Sequence, residues 1–287
     1  MKTLEPHLSF LPERVRNHFL SQFNALIKYS PTIGLMGKTG AGKSSLINAL
    51  FQSPLSPVSD VSGCTRQAQH FIMKMGSHTM TFIDLPGVGE SLERDREYHQ
   101  LYRNLLPELD LIIWVLKADD RAWSADEQCY RFLTEQCGYA TSRFLFVLNQ
   151  VDKIEPCREW NEQYHCPSPK QADNLRQKQA AVMTAFIPSH PVISVSSTEQ
   201  YQLSLLAEQL MTALPAQASS GVARQLNTAY RTLSVEITAR NDFGQCVSDI
   251  VDSLIEIIPL PTAVKNTLST VKNTLVSVAK SLWSFFF

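Results

Sequence analysis

Gly37-Lys38-Thr39-Gly40-Ala41-Gly42-Lys43-Ser44 is the stretch that decides the fold, with Ser45 extending it. It reads G-x-x-x-x-G-K-S, set between an apolar run at 32–36 and a helical pattern at 43–51. A polyphosphate needs several convergent donors. A glycine-rich turn lets backbone N–H groups approach its oxygens, and the helix that follows presents the positive end of its dipole. In this context Lys43 reaches the outer phosphates and Ser44 offers its hydroxyl to a magnesium ion. The alternative is a glycine turn that merely joins strand to helix; the flanking strand and helix patterns weigh against it.

Two carboxylate loops lie downstream, each directly after an apolar run. Asp84-Leu85-Pro86-Gly87 follows Thr81-Phe82-Ile83, where a carboxylate at a strand end holds Mg²⁺ and Gly87 offers its N–H to the terminal phosphate. Alone, D-x-P-G is a common turn sequence; its position after a phosphate loop gives it meaning. Asn149-Gln150-Val151-Asp152 also closes a strand pattern and decides base identity. Guanine presents N1–H and its amino group as adjacent donors that one carboxylate, Asp152, accepts together. Adenine has an unprotonated N1 there and would leave that carboxylate unpaired. The expected ligands are GTP and GDP with Mg²⁺, and ATP is rejected.

From Thr32 onward, short apolar runs alternate with helical patterns, the signature of repeated β-α units on a mostly parallel sheet. The main strands are expected at 32–36, 80–83, 111–116, 143–148 and 191–195, with an edge-type strand at 69–75 forming a hairpin with the second. Helices are expected at 43–51, 92–105, 125–137, 171–186 and 200–213. Before them Val15, Phe19, Phe23, Leu26 and Ile27 stand at helical spacing in an amphipathic helix ended by Pro31.

Together these motifs resemble the translation-factor-like GTPases of the Era and TrmE type, and within that class the YfjP/YeeP-type bacterial GTPases, over residues 31–214. The resemblance implies an α/β P-loop NTPase G domain that hydrolyses GTP to GDP and phosphate as a Mg²⁺-dependent switch. It casts Thr65, within Ser62-Gly63-Cys64-Thr65-Arg66, as the switch I threonine that meets Mg²⁺ and the terminal phosphate. It makes Ser194-Val195-Ser196 the loop whose backbone N–H contacts the guanine oxygen. There are two departures from the pattern. Gln150 replaces the usual lysine, shortening the stem that covers the base, so affinity falls while Asp152 keeps specificity. Val88 follows Gly87 where many small GTPases carry a water-orienting glutamine; valine cannot hydrogen-bond the nucleophile, so hydrolysis by the chain alone is slow. Arg66, Arg94 and Arg96 are nearby candidates to neutralise transition-state charge, weighed against a solvated switch-loop role. A homodimer contact or a protein effector is the other source. Glu90, Glu93, Asp95 and Glu97 read as a solvated face of the same segment.

A length of 287 residues allows one good-sized domain with attachments, at roughly 150 residues per domain. The division read from the pattern is an N-terminal helical segment at 1–30, a G domain at 31–215 and a C-terminal helical region at 216–287. With 44% hydrophobic and 18% charged residues, the chain is globular. A net charge of -1 and a pI near 6.7 give no basic field to hold nucleic acid. The C-terminal third has neither a G-x-x-G loop nor a basic cluster, so an RNA or ribosome partner rests on the resemblance alone. Six cysteines at irregular spacing, with no C-x-x-C pair, read as reduced cytosolic thiols. Cys157, His165 and Cys166 match no common zinc spacing. No secretory core is found near the N-terminus, and the expected location is cytoplasmic.

Pro259 and Pro261 split the C-terminal region in two. Its last piece repeats, Val264-Lys-Asn-Thr-Leu268 then Val271-Lys-Asn-Thr-Leu275, and continues at Val278, Leu282 and Phe285. Three fates stay open for this apolar seam, which runs beside Lys265, Lys272 and Lys280. It closes a bundle with the chain's own helices, it zips onto a partner, or it lies peripherally on the inner face of the membrane, as in dynamin-like or septin-like GTPases. No apolar stretch of about 18 residues is present to cross a bilayer.

Overall fold

Leu111–Lys117 is apolar at nearly every position because both of its faces are covered. Leu111, Ile113 and Val115 enter one core, while Ile112, Trp114 and Leu116 enter another. Phe144–Asn149 repeats the arrangement, with Leu145 and Val147 on the first side and Phe144, Phe146 and Leu148 on the second. Such two-sided strands belong to a parallel sheet sandwiched by helices.

The computed structural model describes residues 8–9, 11–52, 56–57, 68–76, 78–86, 92–120, 122–257 and 262–287. Among them the chain runs α1 (Glu13–Ile27), β1 (Thr32–Met36), α2 (Lys43–Leu50), β2 (Ser56–Pro57), β3 (Gln69–Met75), β4 (His78–Asp84), α3 (Leu92–Leu105) and β5 (Leu111–Lys117). It continues through α4 (Ser124–Arg131), β6 (Phe144–Asn149), α5 (Pro169–Phe186), β7 (Ile193–Ser194), α6 (Leu203–Ala213), α7 (Ala216–Gln225), α8 (Leu233–Ile257) and α9 (Thr262–Phe286). The sheet order is β2-β3-β4-β1-β5-β6-β7. Strands β4, β1, β5, β6 and β7 are parallel, and β3 is antiparallel to both of its neighbours. The architecture is that of a P-loop G domain with a helical C-terminal region.

Several elements differ from their sequence expectation for local reasons. β3 is not the edge: the two-residue β2 pairs outside it, and Pro57, lacking an N–H, suits that margin. α5 starts at Pro169 because Ser168 and Gln171 form a reciprocal capping box. α6 starts at Leu203 because Gln200 and Gln202 both adopt φ 55°, outside the helical region. The α-helix expected over 125–137 gives way after Arg131 to a π-helical turn, Phe132–Gln136.

Among the described residues the C-terminal region holds three α-helices rather than two pieces. The small residues that read as a composition break lie inside α7, where Ser219 and Ser220 are buried. At Gly221 a Cβ would stand 3.0 Å from the Pro31 ring, so the helix seats tightly against the entry to β1. A 3₁₀ turn at Thr228–Tyr230, capped by the Asn227 side chain, then separates α7 from α8. α9 packs along α8, and α1 joins them through Phe23, whose ring lies 5.8 Å from Phe243 and 5.5 Å from Phe286. The seam of α9 is therefore covered by the chain itself. Its buried positions are Leu268, Leu275, Ala279 and Trp283, followed by Phe287 just past the helix, whereas Phe285 is 82% exposed. The expected continuation through Val278, Leu282 and Phe285 slips because a straight helix of 3.6 residues per turn drifts away from a seven-residue repeat. Among the described residues no helix is long and apolar enough to cross a membrane.

Candidate functional site

β1 sits between β4 and β5, parallel to both, so the order in which strands are added to the sheet reverses beside its carboxyl end. Ligands of open α/β sheets bind in the crevice at such a point, and the 37–44 loop lies there. Gly37 has φ +131°, and a Cβ on it would fall 2.1 Å from the Val115 carbonyl oxygen; only glycine lets the loop leave β1 beside β5. Gly42, at φ +86°, caps α2. A Cβ there would meet Asn149 Nδ2 at 2.5 Å and Gln150 Nε2 at 3.3 Å.

That approach shows how two segments distant in sequence lock together. Asn149 Nδ2 donates to the Ala41 carbonyl at 3.0 Å, and Gln150 Nε2 donates to the Gly40 carbonyl at 2.8 Å. Asn149 Oδ1 accepts from Ser197 N–H at 3.3 Å, tying in the loop after β7. Asn149 is completely buried, so its amide braces three loops. Gln150 takes φ 61° and accepts a bond from Lys153; its side chain lies along the phosphate-loop backbone, the place its shortened stem can reach.

Asp152 is half-buried and accepts from Ser196 Oγ at 2.6 Å through Oδ1. Ser196 in turn accepts from Glu199 N–H. In the Ser194-Val195-Ser196 loop, of which a backbone N–H is expected to contact the guanine oxygen, the Val195 and Ser196 N–H groups donate to the Leu148 and Tyr201 carbonyls at 2.7 and 3.3 Å. Strand pairing claims the first of these and the Ser196–Tyr201 bridge the second. Ser194 is buried in β7, its hydroxyl without a hydrogen-bond partner among the described residues.

Lys43 Nζ donates to the Gly37 carbonyl at 2.8 Å and stands 3.5 Å from Asp84 Oδ1. Ser44, Ser45 and Thr39 are exposed, and Ala41 is buried beneath the loop. Asp84 closes β4 opposite Leu35 of β1. Burial pushes its carboxyl above the usual carboxylate range, with Lys43 opposing the shift. Its Oδ1 is buried without a hydrogen-bond partner among the described residues. An orphaned carboxylate oxygen beside a phosphate-loop lysine fits a hard cation that takes oxygen ligands and keeps several waters. The residues present therefore suit Mg²⁺.

Lys38 is less simple than its motif position suggests. Its ammonium turns away from the loop to Asp120 at 2.9 Å and Asp126 at 3.6 Å, and also donates to the Ala122 carbonyl. Asp126 has no exposed surface and accepts from Trp114 Nε1 at 3.1 Å. This strut went unread in the sequence, where Asp126 is one more acidic residue in a helix pattern. Thr65, Arg66, Gly87, Val88 and Glu90 lie outside the described residues, as do the side chains of Glu93, Arg94, Asp95, Arg96 and Glu97.

Comparison with known proteins gives the family. Residues 32–150 match the family described as 50S ribosome-binding GTPase. The Escherichia coli K12 protein YfjP is 44% identical over 287 residues, covering 100% of this chain and 98% of its own. The chain belongs to the Era/TrmE-like P-loop GTPases. A second E. coli K12 relative, YkfA, is 42% identical over the same 287 residues, again 100% of this chain and 98% of its own. Among solved structures, Aquifex aeolicus Era bound to GDP.AlF4- is 19% identical with a TM-score of 0.46, covering 67% of this chain and 66% of that one.

Proposed function

We propose that this GTPase-family chain binds GTP with Mg²⁺ and hydrolyses it to GDP and phosphate, slowly when alone, as a nucleotide-controlled switch. The observation that carries the proposal is the convergence of three loops from the ends of β1, β6 and β7 into one hydrogen-bonded unit through Asn149 and Gln150. Loop 37–45 cups the phosphates with backbone N–H groups, and Lys43 exchanges the Gly37 carbonyl for phosphate oxygens. Asp152 recognises the guanine edge with its carboxylate, Oδ1 keeping a second lone pair beside the Ser196 bond. Residues 194–196 hold the base-side loop in place. Ser44, Asp84 and Thr65 would hold Mg²⁺, which when bound neutralises charge on the phosphoryl group being transferred.

Thr65 and Gly87 act in this scheme as contacts to the terminal phosphate, made with GTP and lost with GDP; that difference is the switch. With Val88 in place of a water-orienting side chain, fast turnover needs a group from an effector or a second copy. The unit so described spans 31–215, with α1 of the 1–30 segment and α7, α8 and α9 of the 216–287 region packed beside it. The matched family's description favours a ribosomal particle as the partner, testable by cosedimentation in GTP-analogue and GDP states. Single-turnover phosphate release, with Lys43→Ala as control, tests the activity. Release faster than the control supports the proposal; a rate equal to it rejects hydrolysis.

A further inference from the structure

At the amino-terminal end of the sheet, opposite the nucleotide loops, a cleft of about 340 Å³ opens between α3 and the entries to β5 and β6. Its walls include Arg103, Arg143, Leu106, Pro107, Tyr139 and Cys137. Both arginines are exposed, and both are held in place by neutral groups. The Arg143 guanidinium lies 5.7 Å from the Tyr139 ring centroid and donates to the Leu109 carbonyl at 3.0 Å. The Arg103 guanidinium lies 5.5 Å from the Phe132 ring centroid. Among the described residues neither meets a carboxylate within ion-pair distance. Asp110, the buried acid close enough to act on Tyr139, spends its oxygens on the Tyr29 hydroxyl at 2.7 Å and Thr32 N–H at 2.9 Å.

Two oriented guanidinium groups with no carboxylate at ion-pair distance among the described residues, in a cleft lined also by Leu106, Pro107 and Tyr139, suit a compact dianion that carries a small apolar body. The volume matches a small-molecule site rather than a macromolecular interface. One flank of the cleft is approached by the π-helical turn Phe132–Gln136, a departure from helical geometry that recurs at functional sites. The cleft is also wired to the loop after Asp84: Tyr102, next to Arg103 on α3, donates its hydroxyl to the Pro86 carbonyl at 2.7 Å.

We propose that the cleft between Arg103 and Arg143 binds a small phosphate monoester and that its occupancy is coupled through α3 and Tyr102 to the segment that follows Pro86. The binding half stands on its own; the coupling half rests on the nucleotide reading above. The probe is phenyl phosphate, titrated calorimetrically into the full chain with and without saturating GDP. Saturable one-site binding is expected in both conditions, so a failure of guanine-nucleotide binding leaves this result readable. Arg103→Gln and Arg143→Gln should each weaken it about tenfold, the loss of one charge-assisted contact, while Lys43→Ala leaves it unchanged and so excludes the phosphate loop as the site. Phenyl phosphate should slow iodoacetamide alkylation of Cys137, which lines the cleft, and not of Cys157, which is exposed elsewhere. Absence of saturable binding, or equal binding by the double arginine variant, overturns the site. If the site binds but the affinity for a non-hydrolysable GTP analogue is the same with and without phenyl phosphate, the coupling is overturned and the site stands.

Discussion

Replacing Gly42 by alanine separates two costs that usually arrive together. The first is conformational: an L-residue held at φ +86° costs about 1–2 kcal/mol in the left-handed region. The second is steric and local, since the new Cβ would lie 2.5 Å from Asn149 Nδ2. Asn149 cannot yield freely, being fully buried and bonded to Ala41 O at 3.0 Å and Ser197 N at 3.3 Å. Displacing it forfeits a buried hydrogen bond and strands an amide, about 1–3 kcal/mol more. Gly40→Ala is the comparison, because its φ is +81° with nothing within 4 Å of the added carbon. Denaturant unfolding of nucleotide-free protein should therefore show Gly42→Ala losing about 2–5 kcal/mol against about 1–2 for Gly40→Ala. The decisive measurement is the double variant Gly42→Ala/Asn149→Ala. With the obstructing amide removed, the second substitution should cost less than it does alone, a coupling of about 1 kcal/mol or more. Strict additivity would refute the claim that Gly42 is there to admit Asn149.

Asp152→Asn should weaken guanine nucleotides by about two orders of magnitude, the cost of breaking paired contacts to a carboxylate, and favour xanthine, whose C2 carbonyl reverses the donor; competition between GTP and XTP reads it, and an unchanged preference counts against the pocket. Lys38→Met leaves Asp126 buried beside Trp114 without its cation, and should cost about 1–3 kcal/mol at neutral pH after discounting for the partly exposed ammonium. Burial pushes the Asp126 carboxyl up, against the Trp114 and Lys38 contacts. A carboxyl with a higher pKa folded than unfolded favours the folded state while protonated and loses that contribution as pH rises through the folded value. The Lys38→Met deficit should thus shrink on acidification and in an Asp126→Asn background, and a pH-independent deficit would contradict it. Trp283→Ala should destabilise the chain by about 3–5 kcal/mol in thermal unfolding, since the ring is buried and its Nε1 donates to Ser220 Oγ at 2.9 Å. A loss near zero would mean that α9 is not docked.

The fold was legible where chemistry and periodicity coincide. An apolar run followed by Gly37 to Ser44 placed β1 and α2 closely, and Asp84 and Asn149 each end a strand as their motifs require. What the text hid follows from physical degeneracy. In β5 and β6 both faces are apolar, so no pattern tells which core Ile112 or Ile113 enters. Ser219-Ser220-Gly221 has the composition of a linker, yet small side chains are also what a helix needs to approach Pro31 closely. Asp126 and Lys38 are unremarkable letters that only the folded chain brings to 3.6 Å. The resemblance gives a backbone N–H of Ser194-Val195-Ser196 to the guanine oxygen, and the pattern does not show that pairing with Leu148 takes the Val195 N–H and the bridge to Tyr201 the Ser196 N–H.

The helices after the G domain also bear on the phosphate loop, through backbone rather than side-chain motifs. The end of α2 is held by the end of α7: Gln52 N–H donates to the Gln225 carbonyl at 3.0 Å, Asn227 N–H to the Leu50 carbonyl at 2.9 Å, and Gln52 Nε2 to the Leu226 carbonyl at 2.7 Å. The start of α2 is held by Asn149 against Ala41. A helix of 8 residues fixed at both ends transmits displacement rather than absorbing it. α7 is fixed in turn by the Ser220–Trp283 bond to α9, and His78 of β4 contacts the Phe286 carbonyl at 2.9 Å. The buried positions of α9 are taken up in this docking. What the C-terminal helices supply is a rigid backing to the element that carries Lys43 and Ser44, and to the last residue pair before the 53–67 segment in which Thr65 lies.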